Sequence, residues 1–217
     1  MTRADADTSR FRAGFADPVE GAQRSFRTLL DAMAHAGRTH AFPDAALQGL
    51  RPDDPGLAPP LPAGVAATLL TLLDAQTPAL LAGEFAAGAA WLRFHTGARP
   101  AAADEPLAMA AARAADVDAA LWSRLALGSD DAPQDGATLV VEVDALGDQP
   151  GGQGIALNLS GPGIPDTRRL VVAGLAPAFW AWRESLAGAW PRGVDLVLTH
   201  GERVAALPRS TRIQREA

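Results

Sequence analysis

Between Pro191 and Ile213 the chain carries two apolar runs, Val194 to Thr199 and Val204 to Leu207, separated by His200-Gly201-Glu202. The first run is rich in β-branched residues, which favour a buried strand. Gly201 can take the positive φ that a tight reversal demands, and Pro208 ends the second run by removing a ladder donor. The pattern predicts a hairpin inside a sheet. Beyond it the chain turns polar and cationic at Arg209, Ser210, Thr211 and Arg212. Asp195 lies inside the first apolar run and, if ionised there, needs a partner such as a nearby arginine. The cluster is either the solvated exit of an ordinary core hairpin or a set of ligand-binding groups at a strand end.

The rest of the chain reads as alternating helices and strands. Residues 1–16 read as a loose arm. Asp17-Pro18-Val19-Glu20 marks a helix start, with Asp17 as N-cap, Pro18 at the first helical position and Glu20 placed to close a capping box. Val19, Ala22, Phe26, Leu29, Leu30 and Met33 recur at helical spacing, and Gly37 stands as the terminator. Recurrent Pro and Gly from Phe42 to Pro62 predict a long loop. A buried helix is expected over Val65 to Ala75, a short strand over Ala79 to Ala82 and a helix over Phe85 to Leu92. A strand over Leu107 to Ala111 follows, then a helix capped by Asp116 or Asp118. Thr138 to Val143 is the clearest strand. Gly147 to Gly154 reads as a loose hairpin connection to Ile155 to Ser160, whose residues alternate in polarity. Gly161-Pro162-Gly163-Ile164-Pro165 ends that strand. In Pro177 to Leu186 the residues Phe179, Trp182 and Leu186 share a helix face, with Arg183 off it. The order implies a single α/β domain over 17–217, a mixed β-sheet flanked by helices.

Composition removes several chemistries. The chain has 217 residues, a net charge of −6 and a pI near 5.1, which argues against a nucleic-acid binder. No stretch approaches the roughly 20 apolar residues of a bilayer span, and the N-terminus lacks a secretory h-region. A cytoplasmic protein is expected. With no cysteine there is no disulfide, thiolate metal site or cysteine nucleophile. All 19 basic residues are arginine. Without lysine neither a pyridoxal-phosphate Schiff base nor a P-loop can form.

The histidines are His35, His40, His95 and His200. His35 and His40 do not share a helix face as H-E-x-x-H requires, so no metal site is expected. His95, between Phe94 and Thr96, is the better candidate for a functional group. Ser160 to Ile164 is either a structural turn or a backbone anion nest built on Gly161 and Gly163. Arg168, Arg169, Arg209 and Arg212 would suit phosphate or carboxylate if they converged. The candidate ligand-binding set is therefore His95, Asp195, Arg209, Ser210, Thr211, Gly161 and Gly163, with no catalytic residue assigned. No nucleophile elbow or carboxylate pair declares an enzyme.

Several segments taken in order resemble the PhnH family of the bacterial carbon–phosphorus lyase system. They are Arg24-Ser25-Phe26-Arg27 with Leu29 to Met33, Thr68 to Pro78, Leu92 to Thr96, Gly136 to Leu139, Leu157 to Ile164 and Pro191 to Thr211. One departure is Ala36, where that family tends to have proline. The resemblance implies a fold related to the pyridoxal-phosphate-dependent transferases without the cofactor. It also implies a homodimer that joins the subunits PhnG, PhnI and PhnJ. That machinery couples a phosphonate to ATP with loss of adenine, and the nucleosidase and radical steps are attributed to PhnI and PhnJ. The expected role is a structural or ligand-assisting subunit that can take a phosphorylated small-molecule ligand, with Trp180 or Trp190 as interface anchors or, equally, as core packing. A stand-alone phosphoryl- or nucleotidyl-transfer enzyme is the competing reading. The first requires exposed apolar surface; the second requires His95, Asp195 and Arg209 in one cleft.

Overall fold

The computed structural model describes residues 12–149 and 154–216. Its strands are β1 (His40–Ala41), β2 (Ala79–Leu81), β3 (Met109–Arg113), β4 (Thr138–Glu142), β5 (Ala145–Gly147), β6 (Ile155–Gly161), β7 (Ile164–Ala173), β8 (Asp195–His200), β9 (Arg203–Leu207) and β10 (Arg212–Arg215). The helices are α1 (Pro18–Ala34), α2 (Asp44–Leu47), α3 (Ala63–Leu72), α4 (Ala89–Thr96), α5 (Ala119–Trp122) and α6 (Pro177–Ser185). The expected hairpin is present as β8 and β9, paired antiparallel from Leu196–Leu207 to His200–Arg203.

The strands form two sheets, where the sequence implied one. The larger has the order β1-β9-β8-β4-β3-β2, with β2, β3, β4 and β8 parallel and the other pairings antiparallel. The smaller, β10-β6-β7-β5, is wholly antiparallel. Ile155 to Ser160 was expected to pair with Thr138 to Val143, but β6 instead lies between β7 and β10. The reason is that β4 has no free edge: β3 and β8 take its backbone groups on both sides. Strand β7 escaped the sequence pattern because its first half carries Pro165, Asp166, Thr167 and Arg169 in exposed positions.

Alternate residues of the larger sheet enter two different cores. Ala110, Ala112, Leu139, Val141, Leu196, Leu198, Ala205 and Leu207 face the smaller sheet and α6, meeting Leu157, Leu159, Leu170, Val172, Phe179 and Trp180. Met109, Ala111, Val140, Val197 and Val204 face α1, α3 and α4, against Leu29, Val65, Ala66, Leu69 and Trp91. A sheet buried on both faces reads as continuous apolar runs, which is why these strands were the most legible. The smaller sheet has one wet face and was less so.

Helix α1 begins as expected: the Asp17 carboxylate accepts from the Val19 and Glu20 N–H groups at 2.9 Å. No capping box closes, because Glu20 takes Arg24 instead. The buried face is Gly21, Ser25, Leu29 and Ala32, with Gly21 and Ser25 small enough to let the helix lie close. Of the expected apolar face, Val19, Phe26 and Leu30 are exposed at 68%, 49% and 57%. Residues 12–16 are tied down, since Ala13 N–H donates to Leu57 and the Ala13 carbonyl accepts from Trp91 Nε1 at 3.0 Å. Residues 1–11 of the expected arm, and 150–153 of the expected hairpin connection, lie outside the described residues. Within Phe42 to Pro62, α2 and two 3-10 turns replace the expected unbroken loop. In α6 the expected face packs as predicted, with Phe179 buried and Trp182 and Leu186 half-buried against the core, but it is wider: Trp180 and Arg183 are buried too, and Arg183 reaches the Pro208 carbonyl in the turn after β9.

The smaller sheet is docked through its β6–β7 turn. Gly163 has φ +79, and a Cβ there would overlap the Ala34 carbonyl at the end of α1. Gly163→Ala is expected to cost at least about 2 kcal/mol, combining left-handed strain with backbone overlap. Gly201→Ala, at φ +62 with open space around it, serves as the strain-only control and loses about 1 kcal/mol. Urea unfolding reads both; equal losses would show that the Ala34 contact does not hold the turn.

Candidate functional site

The four-residue turn Pro208 to Thr211 carries the chain from β9 of the larger sheet to β10 of the smaller one. Its geometry is set by arginines. Thr211 N–H donates to the Pro208 carbonyl at 2.8 Å, and Arg183 Nη2 donates to the same oxygen at 2.9 Å. Arg209 N–H donates to Asp195 Oδ1 at 2.6 Å. The Arg209 guanidinium meets the same carboxylate, Nη2 to Oδ2 at 2.6 Å and Nε to both oxygens at 3.2 Å. Its remaining donors go to the carbonyls of Pro133 and Gly136. Asp195 thus has the arginine partner that its position in an apolar strand required.

Arg209 therefore spends its fork inside the protein and does not present it to a ligand. Behind it lies Arg183, 1% exposed, with no ion-pair partner among the described residues and an unsatisfied Nε. Burial pushes its pKa down to about 10; Asp195 opposes this and Arg209 adds to it. The guanidinium is still charged at neutral pH.

Three segments meet around the turn to form a cleft of about 620 Å³, lined by Gly161, Pro162, Ala187, Trp190, Arg209, Ser210, Thr211 and Arg212. Four of the seven expected ligand-binding residues line it: Gly161, Arg209, Ser210 and Thr211. Asp195 stands behind it as the partner of Arg209. Gly163 lies on the α1 side of its turn, against Ala34, which favours the structural reading of Ser160 to Ile164. His95 belongs to another region: its Nε2 lies 3.1 Å from the Arg12 carbonyl, and its ring packs on Trp91 and Phe94. His95 is therefore not brought to the Asp195–Arg209 pair. Of the two candidate anchors, Trp190 is exposed, while Trp180 is fully buried beside Phe179 and cannot anchor an interface.

Open α/β sheets commonly bind ligands at the carboxyl ends of their parallel strands. Here those ends satisfy one another. Glu142, at the end of β4, accepts from the Thr199 hydroxyl at 2.6 Å and from Gly201 N–H at 2.8 Å. Arg113, ending β3, pairs with Glu84, and His200 Nδ1 lies 3.0 Å from the Val143 carbonyl.

The structure joins His35 and His40 in a way that spacing did not disclose. Both imidazoles reach Asp31, His35 Nδ1 at 2.9 Å and His40 Nδ1 at 3.1 Å. No helix face is shared, because β1 brings His40 back beside the end of α1. Among the described residues no group of three or more His, Asp or Glu is arranged to hold a metal.

The family model described as "Bacterial phosphonate metabolism protein (PhnH)" matches residues 13–214. A relative from Rhizobium meliloti (strain 1021), named alpha-D-ribose 1-methylphosphonate 5-triphosphate synthase subunit PhnH, is 38% identical over 220 residues, covering 97% of this chain and 99% of its own length. A Stutzerimonas stutzeri protein named "Putative C-P lyase subunit protein HtxG" is 42% identical over 87 residues, covering 40% of this chain and 42% of its own length.

Two outcomes follow from the charges. Asp195→Asn leaves Arg209 and Arg183 without their buried counter-charge and is expected to cost about 3 kcal/mol in urea unfolding. A loss below about 1 kcal/mol would mean that solvent, not Asp195, balances these arginines. His40 is held below the ordinary histidine value of 6.5, first by burial and then by Arg38, His35 and Arg168, against the opposing pull of Asp31. The folded chain binds this proton less well than the unfolded one. The stability contributed by His40 is therefore present above pH 6.5 and is lost as pH falls through the lowered pKa. His40→Gln removes that part of the acid dependence, measured as the difference between the two pH–stability curves.

Proposed function

Because the chain belongs to the PhnH family of bacterial phosphonate metabolism proteins, we propose that it acts as a subunit of the carbon–phosphorus lyase core. In this reading it is required for forming ribose 1-methylphosphonate 5-triphosphate from ATP and methylphosphonate. Its contribution is structural or ligand-assisting, and bond-making falls to partner subunits. Full-length similarity to a named subunit of the triphosphate synthase is the observation that carries this reading.

The surface of α1 supports it. Val19, Phe26 and Leu30 stand at i, i+7 and i+11, so they form one exposed apolar stripe on a helix whose other face is already packed. Phe26 also lines a shallow groove with Ala22, Gln23, Arg27 and Thr71 of α3. Exposed apolar surface of this kind fits a subunit of a larger assembly. We assign the stripe to a partner subunit, with PhnG, PhnI and PhnJ as the proposed assembly and a homodimer as the proposed free form. The larger sheet is proposed to derive from the pyridoxal-phosphate-dependent transferase fold, with no Schiff base possible in a chain lacking lysine. No helix among the described residues is long and apolar enough to cross a membrane, and a cytoplasmic location over a single domain, 17–217, belongs to the same proposal.

The competing reading, a stand-alone phosphoryl- or nucleotidyl-transfer enzyme, receives no support from the separation of His95 from the Asp195–Arg209 pair. Native mass spectrometry tests the subunit reading, on the chain alone and co-expressed with the three partners. A dimer alone and a larger assembly together are expected. Phe26→Asp with Leu30→Asp is expected to lower co-purification by about tenfold or more while leaving unfolding unchanged. A chain that ignores all three partners would overturn the reading; an unaffected assembly in the double variant would move the contact away from α1.

A further inference from the structure

We propose that the cleft between the β6–β7 turn, the segment after α6 and the Pro208 to Thr211 turn binds a small anion that carries a planar ring, with its phosphate or carboxylate at Arg212 and its ring against Trp190. The charge of the cleft is the first argument. The chain as a whole carries −6, yet the lining holds two arginines and no carboxylate. Arg209 is neutralised by Asp195. Arg212 is not: its exposed side chain has no hydrogen bond or ion pair among the described residues. The buried Arg183 adds a further positive charge behind the turn with no ion pair of its own, since Asp195 is paired with Arg209. Three guanidiniums against one carboxylate leave the wall cationic, and a low-dielectric wall focuses that field into the cleft.

Shape and chemistry are the second argument. At about 620 Å³ the cleft has the size of a small-molecule site. Trp190 is 66% exposed and lines it, with no ring partner among the described residues. An unstacked indole beside an unpaired guanidinium offers a flat apolar face and an anion clamp side by side. Ser210 adds a hydroxyl with no partner among the described residues. Thr211 closes the base of the cleft, and its buried hydroxyl also lacks one. Gly161, at φ +132, brings the β6–β7 turn to within contact of the Ser210 carbonyl, so the two walls meet without a side chain between them. The side chain of Arg209, a candidate from the sequence, is replaced in this role by that of Arg212. Arg209 and Arg183 hold the turn.

The proposal does not depend on the subunit reading, since binding is measured on the isolated chain. Isothermal titration calorimetry at low ionic strength uses three probes: phenyl phosphate, adenosine 5′-monophosphate and inorganic phosphate. Saturable binding of the two ring-bearing probes is expected, with inorganic phosphate weaker by about tenfold, the scale of one aromatic stacking contact. Trp190→Ala should bring the ring-bearing probes down to the level of inorganic phosphate. Arg212→Gln should weaken all three by about tenfold and flatten their salt dependence. Adenosine 5′-monophosphate alone binding would narrow the ligand to a nucleotide, and equal binding of phenyl phosphate would assign recognition to any ring-bearing phosphate. Failure of both ring-bearing probes to saturate below about 1 mM would overturn the proposal. So would probe affinities unchanged in both variants. Loss of partner assembly in Trp190→Ala without any probe binding would assign the cleft to a protein contact instead.

Discussion

The pairing of Asp195 with Arg209 is the interaction on which this architecture turns. Asp195 opens β8, a strand buried on both faces, and Arg209 stands where the chain leaves the larger sheet for the smaller one. One carboxylate takes the backbone N–H and the guanidinium of Arg209, so the direction in which the chain exits β9 is defined by a charge at the start of β8. The same guanidinium reaches the Pro133 and Gly136 carbonyls just before β4. A single ion pair thus holds together β8, the turn after β9 and the approach to β4. An added Cβ at Gly136 or Gly193 would meet Arg209, so both glycines stand where this side chain passes against the backbone.

Arg183 extends this arrangement at a cost. A guanidinium 1% exposed with one unsatisfied nitrogen is not placed there for stability. It supplies the hydrogen bond that supports the Pro208 carbonyl and a positive potential behind the turn. Residues of this kind, locally unfavourable and structurally retained, mark places where conformation matters more than energy. The turn it supports lines the cleft together with Arg212 and Trp190.

The two faces of α1 show how a partner reading and a core reading coexist in one helix. Gly21 and Ser25 face inward together with Leu29 and Ala32, while Val19, Phe26 and Leu30 face water. Apolar periodicity alone assigns the large residues to the core, because the hydrophobic effect favours burying them. At Gly21 and Ser25 close approach of α3 and Phe15 inverts that choice, since a larger side chain at Gly21 would meet Phe15.

Much of the fold was legible along the chain. The N-cap at Asp17, the helix from Pro18, the strand at Thr138 and the hairpin about Gly201 are written in local signals, namely a short polar acceptor, a fixed φ and apolar runs sized to strands. The exclusion of lysine and cysteine chemistry is absolute, because no tertiary arrangement can supply an absent side chain. The need of Asp195 for an arginine was also readable, since burial of a lone charge is prohibitive. What the sequence could not carry was long-range choice. That β6 pairs with β7 and β10 follows from β4 having both edges taken. His95 stands apart from Arg209 because α4 packs on the segment at 12–14. Arg209 is spent on Asp195, which leaves Arg212 as the unpaired cation. Each of these depends on which groups compete for the same partner in space, and that competition is decided only when the whole chain has packed.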